Sequence, residues 1–395
     1  MAILIFSLIF LFFSFSLGEL TRISIYSQIA FSLLDISVFI FVTVTLVKEF
    51  LQRKIKITTI WKSFFLFLGC AFFSLFLAAF YIPQSQVLVG ILYLLRFILY
   101  GYVFFVAINL EMKEKRIIKI GMIITGTCMV VSGIIQFFFY PSLRNLYYGG
   151  WDEHLYRMFG TFLDPNFFGL FLVLFMLFIF TLLWTAKNRI FKFIFGCITI
   201  ITFISILLTY SRSSLFALVI GFSSLFYILG RKKFVLYSLI CMSVIGGLFF
   251  IWTGGRSEGT NLFRTTSTQE RLTNAKNALT VWSDNILFGV GFNTYSYAQY
   301  RHGIIKSVSD EGHGNSGADN SFLFILATVG VSGFLAFLYM IFQHYKILQN
   351  QSQSYKALGI ASFLGLSAGS FFVNGLFYPP LMLWMWLLLG IIENN

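Results

Sequence analysis

Apolar runs long enough to cross a hydrocarbon core of about 30 Å recur along the whole chain. They fall at 2–17, 27–47, 63–82, 87–109, 118–139, 167–185, 190–208, 212–229, 234–252, 321–343, 357–373 and 377–392. The first has no basic stretch before it and a second run follows closely, so it reads as a retained helix rather than a secretory leader. The pattern predicts an all-α polytopic membrane protein of about twelve transmembrane helices, with 1–395 as one membrane domain. Two polar excursions interrupt it, a shorter one at 140–166 and a long one at 253–320. A loop as long as the second needs a function of its own. Inside it, TQERLTNAKNALTVW at 268–282 sets Leu272, Ala275, Ala278, Leu279 and Trp282 on one helical face. Such a face would lie on the membrane surface or cover a cavity. Gly289 and Gly291 follow as a turn; no strand precedes them, which sets aside a nucleotide-binding fingerprint.

Composition agrees: 58% of residues are hydrophobic, only 11% are charged, and there are 52 Phe, which excludes an ordinary soluble domain. Charge placement adds an orientation. The connections at 48–62, 111–119, 187–192, 231–233 and 344–356 hold seventeen of the 28 Lys and Arg residues. Every second connection is basic, as expected on the cytoplasmic side, so both termini are expected inside and the long loop outside. The formal charge of +13 is then anchoring beside anionic lipid, and no nucleic acid partner is expected. The opposite side holds ten basic residues, eight of them Arg: Arg22, Arg144, Arg157, Arg212, Arg256, Arg264, Arg271 and Arg301. Arg suits a two-pronged grip on phosphate, which points to an anionic ligand on that side. Cys70, Cys128, Cys197 and Cys241 all lie in apolar runs and imply neither a disulfide nor a metal site.

Several strings resemble a known family. Tyr156-Arg-Met-Phe-Gly-Thr-Phe-Leu-Asp-Pro-Asn166 is similar to the element before a middle span of the O-antigen ligase and polymerase superfamily. Tyr210-Ser-Arg-Ser-Ser214 resembles its serine–arginine motif. Leu287-Phe-Gly-Val-Gly-Phe-Asn293, Asp319-Asn-Ser-Phe-Leu323 and Gly330-Val-Ser-Gly333 resemble the block that ends its large outer loop. The resemblance implies a C-type membrane glycosyltransferase of the bacterial plasma (inner) membrane. It implies an undecaprenyl-diphosphate-linked oligosaccharide as donor and acceptor, a chain-length regulator protein as a further partner, and no cofactor or catalytic metal. Ligase members often carry His before the Asn of the last block, where this chain has Asp319. That departure favours a polymerase of O-antigen, capsule or exopolysaccharide over a ligase acting on lipid A core.

Transfer from a lipid diphosphate needs countercharge for the departing diphosphate and a held, deprotonated acceptor hydroxyl. Arg212, flanked by Ser211 and Ser213, is a candidate for the first task, against simple interfacial anchoring; Arg157, beside a Gly-Thr pair and the Pro165-Asn166 pair, is another, against tethering a loop carboxylate such as Asp152 or Glu153. Arg96 stands inside a span, so it faces either substrate or a partner such as Asp35. Arg264, Arg271 and Arg301 are candidate contacts to glycan or diphosphate. Asp319 and His313 are the candidate bases, with Asp310 and Glu311 on the same segment; Asn320 and Asn166 are anchors or sugar contacts. Tyr147, Tyr148, Trp151 and Tyr156 in the short loop, and Tyr295, Tyr297 and Tyr300 in the long one, suit stacking on sugars or an interfacial aromatic belt. A transporter or lipid flippase is the alternative of another class; against it, the halves do not repeat and charges within the spans are sparse.

Overall fold

The computed structural model describes residues 2–26, 29–52, 60–149, 151–253, 260–261, 266–308 and 317–393. It is 80% helical, an all-α membrane bundle. Among the described residues nine helices come first: α1 (Ala2–Leu17), α2 (Leu33–Gln52), α3 (Ile60–Ala78), α4 (Gln84–Asn109), α5 (Met112–Phe139), α6 (Pro165–Thr185), α7 (Arg189–Leu208), α8 (Arg212–Ile228) and α9 (Lys232–Thr253). The long loop contributes α10 (Thr266–Ser283) and α11 (Tyr295–Arg301); α12 (Ser321–Gln349), α13 (Gln353–Gly369) and α14 (Pro379–Ile392) close the bundle. Each apolar interval read from the sequence thus holds one helix. Among the described residues, seven helices are long and apolar enough to cross a membrane by length and composition. Helices α8 and α14 are apolar but shorter.

The two ends of the bundle differ in chemistry. At one end Lys48 pairs with Glu114, Lys115 Nζ donates to the Glu393 carbonyl at 2.6 Å, and Lys119 Nζ to the Tyr355 hydroxyl at 3.2 Å. Those contacts join α2, α5, α13 and the end of α14 where the basic connections lie. The other end carries both polar excursions. Helix α6 runs through the middle, with 78% of its apolar window buried. Its Phe171 and Phe175 meet the Trp384 ring of α14 edge-on.

Helix α2 begins six residues later than its hydropathy suggests. Residues before it pair as a hairpin, β1 (Ile23–Tyr26) with β2 (Ile29–Phe31), antiparallel. This hairpin explains Arg96: its guanidinium donates to the Ala30 carbonyl and to Asp35 Oδ2 at 2.9 Å, while Tyr100 Oη donates to Asp35 Oδ1 at 3.0 Å. A charge in an apolar helix needs such a partner. Of the two readings open for Arg96, the structure shows the pairing with Asp35.

The turn expected at Gly289 and Gly291 is part of a larger device. Helix α12 breaks at Gly330 (φ 71°, ψ −170°). The break frees carbonyls on one side and N–H groups on the other, which are costly to leave bare in an apolar bundle. The segment after α10 supplies their partners. Val290 and Gly291 donate to the Ala327 and Thr328 carbonyls at 2.9 and 3.1 Å; Val331 and Ser332 donate to the Ile286 and Leu287 carbonyls at 2.9 and 3.1 Å. A methyl group at Gly330 would lie 2.4 Å from the Leu287 carbonyl atoms, and one at Gly289 2.4 Å from the Thr328 carbonyl carbon. Backbones approach here because neither residue has a side chain. Gly330→Ala is therefore expected to cost about 2–4 kcal/mol, from left-handed strain plus overpacking. Gly196→Ala in α7, where nothing lies within 4 Å, should leave the melting temperature in detergent unchanged or slightly raised.

This interlock also fixes α10. Its Ala278 and Val281 pack with Phe324 and Ala327 of α12, and Asn274 Oδ1 accepts from the Asp319 N–H at 3.4 Å. The apolar face read from the sequence is only half right: Ala278 is buried, but Leu272 and Leu279 are 59% and 45% exposed. The helix turns Val281 inward instead, because its partner is α12 rather than a flat surface.

Candidate functional site

The α5–α6 connection, the α7–α8 turn and α10 meet at the polar end of the bundle. Asp164 caps α6, its Oδ1 accepting from the Asn166 and Phe167 N–H groups at 2.6 and 3.1 Å, with Pro165 preset for the first turn. Ser211 caps α8 in the same way through the Ser214 N–H. Asn166 then ties the two helix starts together: its Oδ1 accepts from Ser211 Oγ at 3.1 Å and from Arg157 Nη2 at 3.4 Å. Arg157 Nε donates to the Thr209 carbonyl at 3.0 Å. Arg157, Ser211 and Ser213 are all buried. The backbone here is strained, with His154, Tyr156, Leu163 and Tyr210 all at φ between 47° and 57°. Left-handed non-glycine residues gather where a site must be held in one geometry.

Above this buried hub lies the charged layer. Arg212 Nη1 and Nη2 donate to Thr268 Oγ1 and Ser267 Oγ at 3.2 and 2.6 Å, joining the first turn of α8 to the first turn of α10. One turn further along α10, Arg271 lies over the Phe372 ring at 5.7 Å. Burial pulls its pKa down, opposed by the charge of Asp319, and Arg212 adds a like-charge push in the same downward direction. Asp319 is its carboxylate neighbour. Burial lifts Asp319 to about 6, a rise that Arg271 moderates and Asp164 reinforces. Two arginines and a carboxyl tuned near neutrality thus share one partly enclosed place, with Arg157 fixed beneath.

The sequence candidates sort accordingly. Arg157, Asn166, Ser211, Ser213, Arg212, Arg271 and Asp319 are brought together. Asn320 stands next to Asp319, but its side chain is committed to capping α12 through the Phe322 and Leu323 N–H groups. Arg301 is elsewhere, 5.7 Å over the Tyr81 ring, beside the His302–Asp284 pair. Tyr295 is 1% exposed, enclosed with Ala278 and Phe324, so its ring offers no open face to a sugar. Arg96 belongs to the Asp35 pair. His313, Arg264, Asp310 and Glu311 lie outside the described residues. Two further residues join the site. Asp164 was legible as a cap from the Asp-Pro-Asn order, and its electrostatic tie to Asp319 appears only in the fold. His154, whose Nε2 lies 4.0 Å from Asp164 Oδ2, had no local signal.

The fold and this site define a multi-pass membrane protein with a basic, carboxyl-containing centre at one end of its bundle. Residues 197–338, about a third of the chain, match a family model described as O-antigen ligase, which supports the resemblance to the O-antigen ligase and polymerase superfamily. Members are glycosyl-transferring enzymes of glycan assembly. The matched stretch carries Arg212, Arg271, Asp319 and the interlock at Gly330; Arg157 and Asn166 precede it. No curated protein matches the chain.

Proposed function

We propose that the protein is a polyprenyl-diphosphate-glycan glycosyltransferase of the polymerase branch, joining lipid-linked repeat units into a polysaccharide. It works at the outer face of the bacterial plasma membrane, with both termini inside. The observation that carries this reading is Arg271 set within electrostatic reach of both Arg212 and the buried Asp319, with Arg157 buried nearby, at the polar end of an apolar bundle. A hydroxyl of the acceptor sugar attacks the anomeric carbon; the bond from that carbon to the diphosphate breaks, and the diphosphate leaves with the electron pair. Arg212 and Arg271 supply the countercharge where that pair arrives, in the role a metal ion fills elsewhere. Asp319 accepts the hydroxyl proton, since a carboxyl tuned to about 6 is ionised at neutral pH yet still basic. Arg157 and Asn166 keep the starts of α6 and α8 in register beneath.

The test is transfer by purified protein in liposomes containing a matched undecaprenyl-diphosphate repeat unit. A glycan ladder is expected. Glycosylation of a lipid A core without a ladder would assign the ligase branch. Movement of the lipid-linked unit across the bilayer with no transfer would overturn the enzyme reading.

A further inference from the structure

The connection between α13 and α14 reaches the charged centre from beyond the matched residues. Its Phe372 ring lies 5.7 Å from the Arg271 guanidinium. Further along, Asn374 Oδ1 accepts from Ser321 Oγ at 2.9 Å, and Asn374 Nδ2 lies 3.8 Å from where a Cβ on Gly317 would stand. Gly317 and Ser321 stand on either side of Asp319, so the Asn374 amide spans the segment that carries the carboxyl. The amide has a set direction. Ser321 Oγ accepts the Leu376 N–H at 3.2 Å, and its own proton goes to Asn374 Oδ1. Both Nδ2 protons are therefore left on the Gly317 side. Among the described residues no other atom lies within 4 Å of that Gly317 position, so the amino group borders open space. The backbone beneath is anchored. Ser321 N donates to the Ser370 carbonyl at 3.0 Å, and Phe377 packs among Phe97, Phe292, Phe324 and Phe337.

We infer that Asn374 holds the acceptor sugar, its Nδ2 donating to an oxygen next to the hydroxyl that Asp319 deprotonates. The inference rests on the transferase reading above and names a specificity-determining residue for it. Chemistry sorts the two flanks of Asp319. Guanidinium groups suit the diphosphate, whereas a neutral amide donor suits a sugar oxygen. Gripping one ring at two neighbouring oxygens fixes its orientation as well as its position, which in-line attack requires. A site built around such a donor also rejects a sugar that lacks the matching oxygen. The competing role for Asn374 is structural, a staple between α12 and the α13–α14 connection through Ser321.

The test uses the full-length protein in liposomes with two lipid-linked repeat units. The donor is capped at its non-reducing end, so it cannot accept. The acceptor has a methylene in place of its anomeric oxygen, so it cannot donate. At pH 8, where Asp319 is ionised, Asn374→Ala and Asn374→Asp should each raise the acceptor KM about tenfold. The donor KM, and kcat at saturating acceptor, should stay within about twofold. Asn374→Asp keeps an oxygen for Ser321 Oγ, so it reports the loss of the amino group alone. Among monodeoxy acceptors lacking an oxygen beside the attacking hydroxyl, one should cost the wild type a similar factor and leave both variants indifferent. A normal acceptor KM in Asn374→Asp beside a raised one in Asn374→Ala would overturn the inference and leave only the staple. Variants that discriminate among the deoxy acceptors as the wild type does would overturn it too, as would donor and acceptor KM rising together. No transfer by the unmodified protein would overturn the inference together with the reading it rests on.

Discussion

Arg212→Ala is expected to lower kcat/KM for transfer by about 10²–10³, a loss of roughly 3–4 kcal/mol of transition-state stabilisation. The guanidinium is held by Ser267 and Thr268 hydroxyls at 2.6 and 3.2 Å. Those are neutral acceptors, worth on the order of 1 kcal/mol each, and a diphosphate oxygen outcompetes them. Ser267→Ala and Thr268→Ala should therefore change activity by only a few fold. Arg212→Lys keeps the charge and loses the planar fork, so it should fall between wild type and Arg212→Ala. The informative control is Arg301→Ala. By sequence it is a further outer arginine and a candidate glycan or diphosphate contact, but in the fold it belongs to the Tyr81 and His302–Asp284 neighbourhood. Its activity should stay within about twofold of wild type, a surface change of little energetic weight. Initial rates on one lipid-linked donor, measured over a concentration series, decide between these outcomes. Equal losses in Arg212→Ala and Arg301→Ala would mean that overall positive charge, not this cluster, holds the donor.

That contrast shows which parts of the protein could be read in advance. Hydropathy located all twelve helical intervals because an apolar run of that length has few other uses. It misjudged the start of α2, since Ile23, Ile29 and Phe31 look equally apolar whether they pair as a hairpin or continue a helix. Gly330 gave no warning either. A glycine within an apolar run reads as a helix with a weak spot, and only the Leu287 carbonyl 2.4 Å from its missing methyl shows a designed break. The site divides along the same line. Arg212 stands out as an arginine at a helix start, Arg157 by the turn-forming Gly-Thr and Pro-Asn pairs that follow it, and Asp319 by its place where the loop rejoins the bundle. Their grouping with Arg271 required knowing that α10 lies along α12, which rests on Ala278 and Val281 rather than on the Leu272–Leu279 face favoured by periodicity. Tyr295 misled for a related reason: loop tyrosines are expected outside, but the long loop has a small core of its own.

Asp319→Asn is expected to make the protein more stable at neutral pH while removing most of its activity. The carboxyl rises from 3.8 to about 6 on folding, mainly because it is buried. A carboxyl whose folded pKa is raised binds a proton more readily in the native state, so native stability falls as pH rises through the interval between those values. Below about 4 the group is protonated in both states and costs nothing. Above about 6 the native protein carries the full penalty of a buried charge, about two pKa units or roughly 3 kcal/mol. Asparagine has the shape of the protonated acid and cannot ionise. The melting curves of Asp319→Asn and wild type should therefore coincide near pH 4 and separate above pH 6, with the variant the higher. Transfer should move the opposite way, falling by about 10²–10⁴ if Asp319 takes the acceptor proton. The wild-type rate should also rise with pH through a limb near 6 that the variant lacks. A variant less stable than wild type at pH 8 would show that Arg271 outweighs burial, making Asp319 a structural partner of α10. A variant more stable and fully active would leave the carboxyl without a part in transfer. Gain of stability with loss of turnover is the combination expected of a buried charge retained for chemistry.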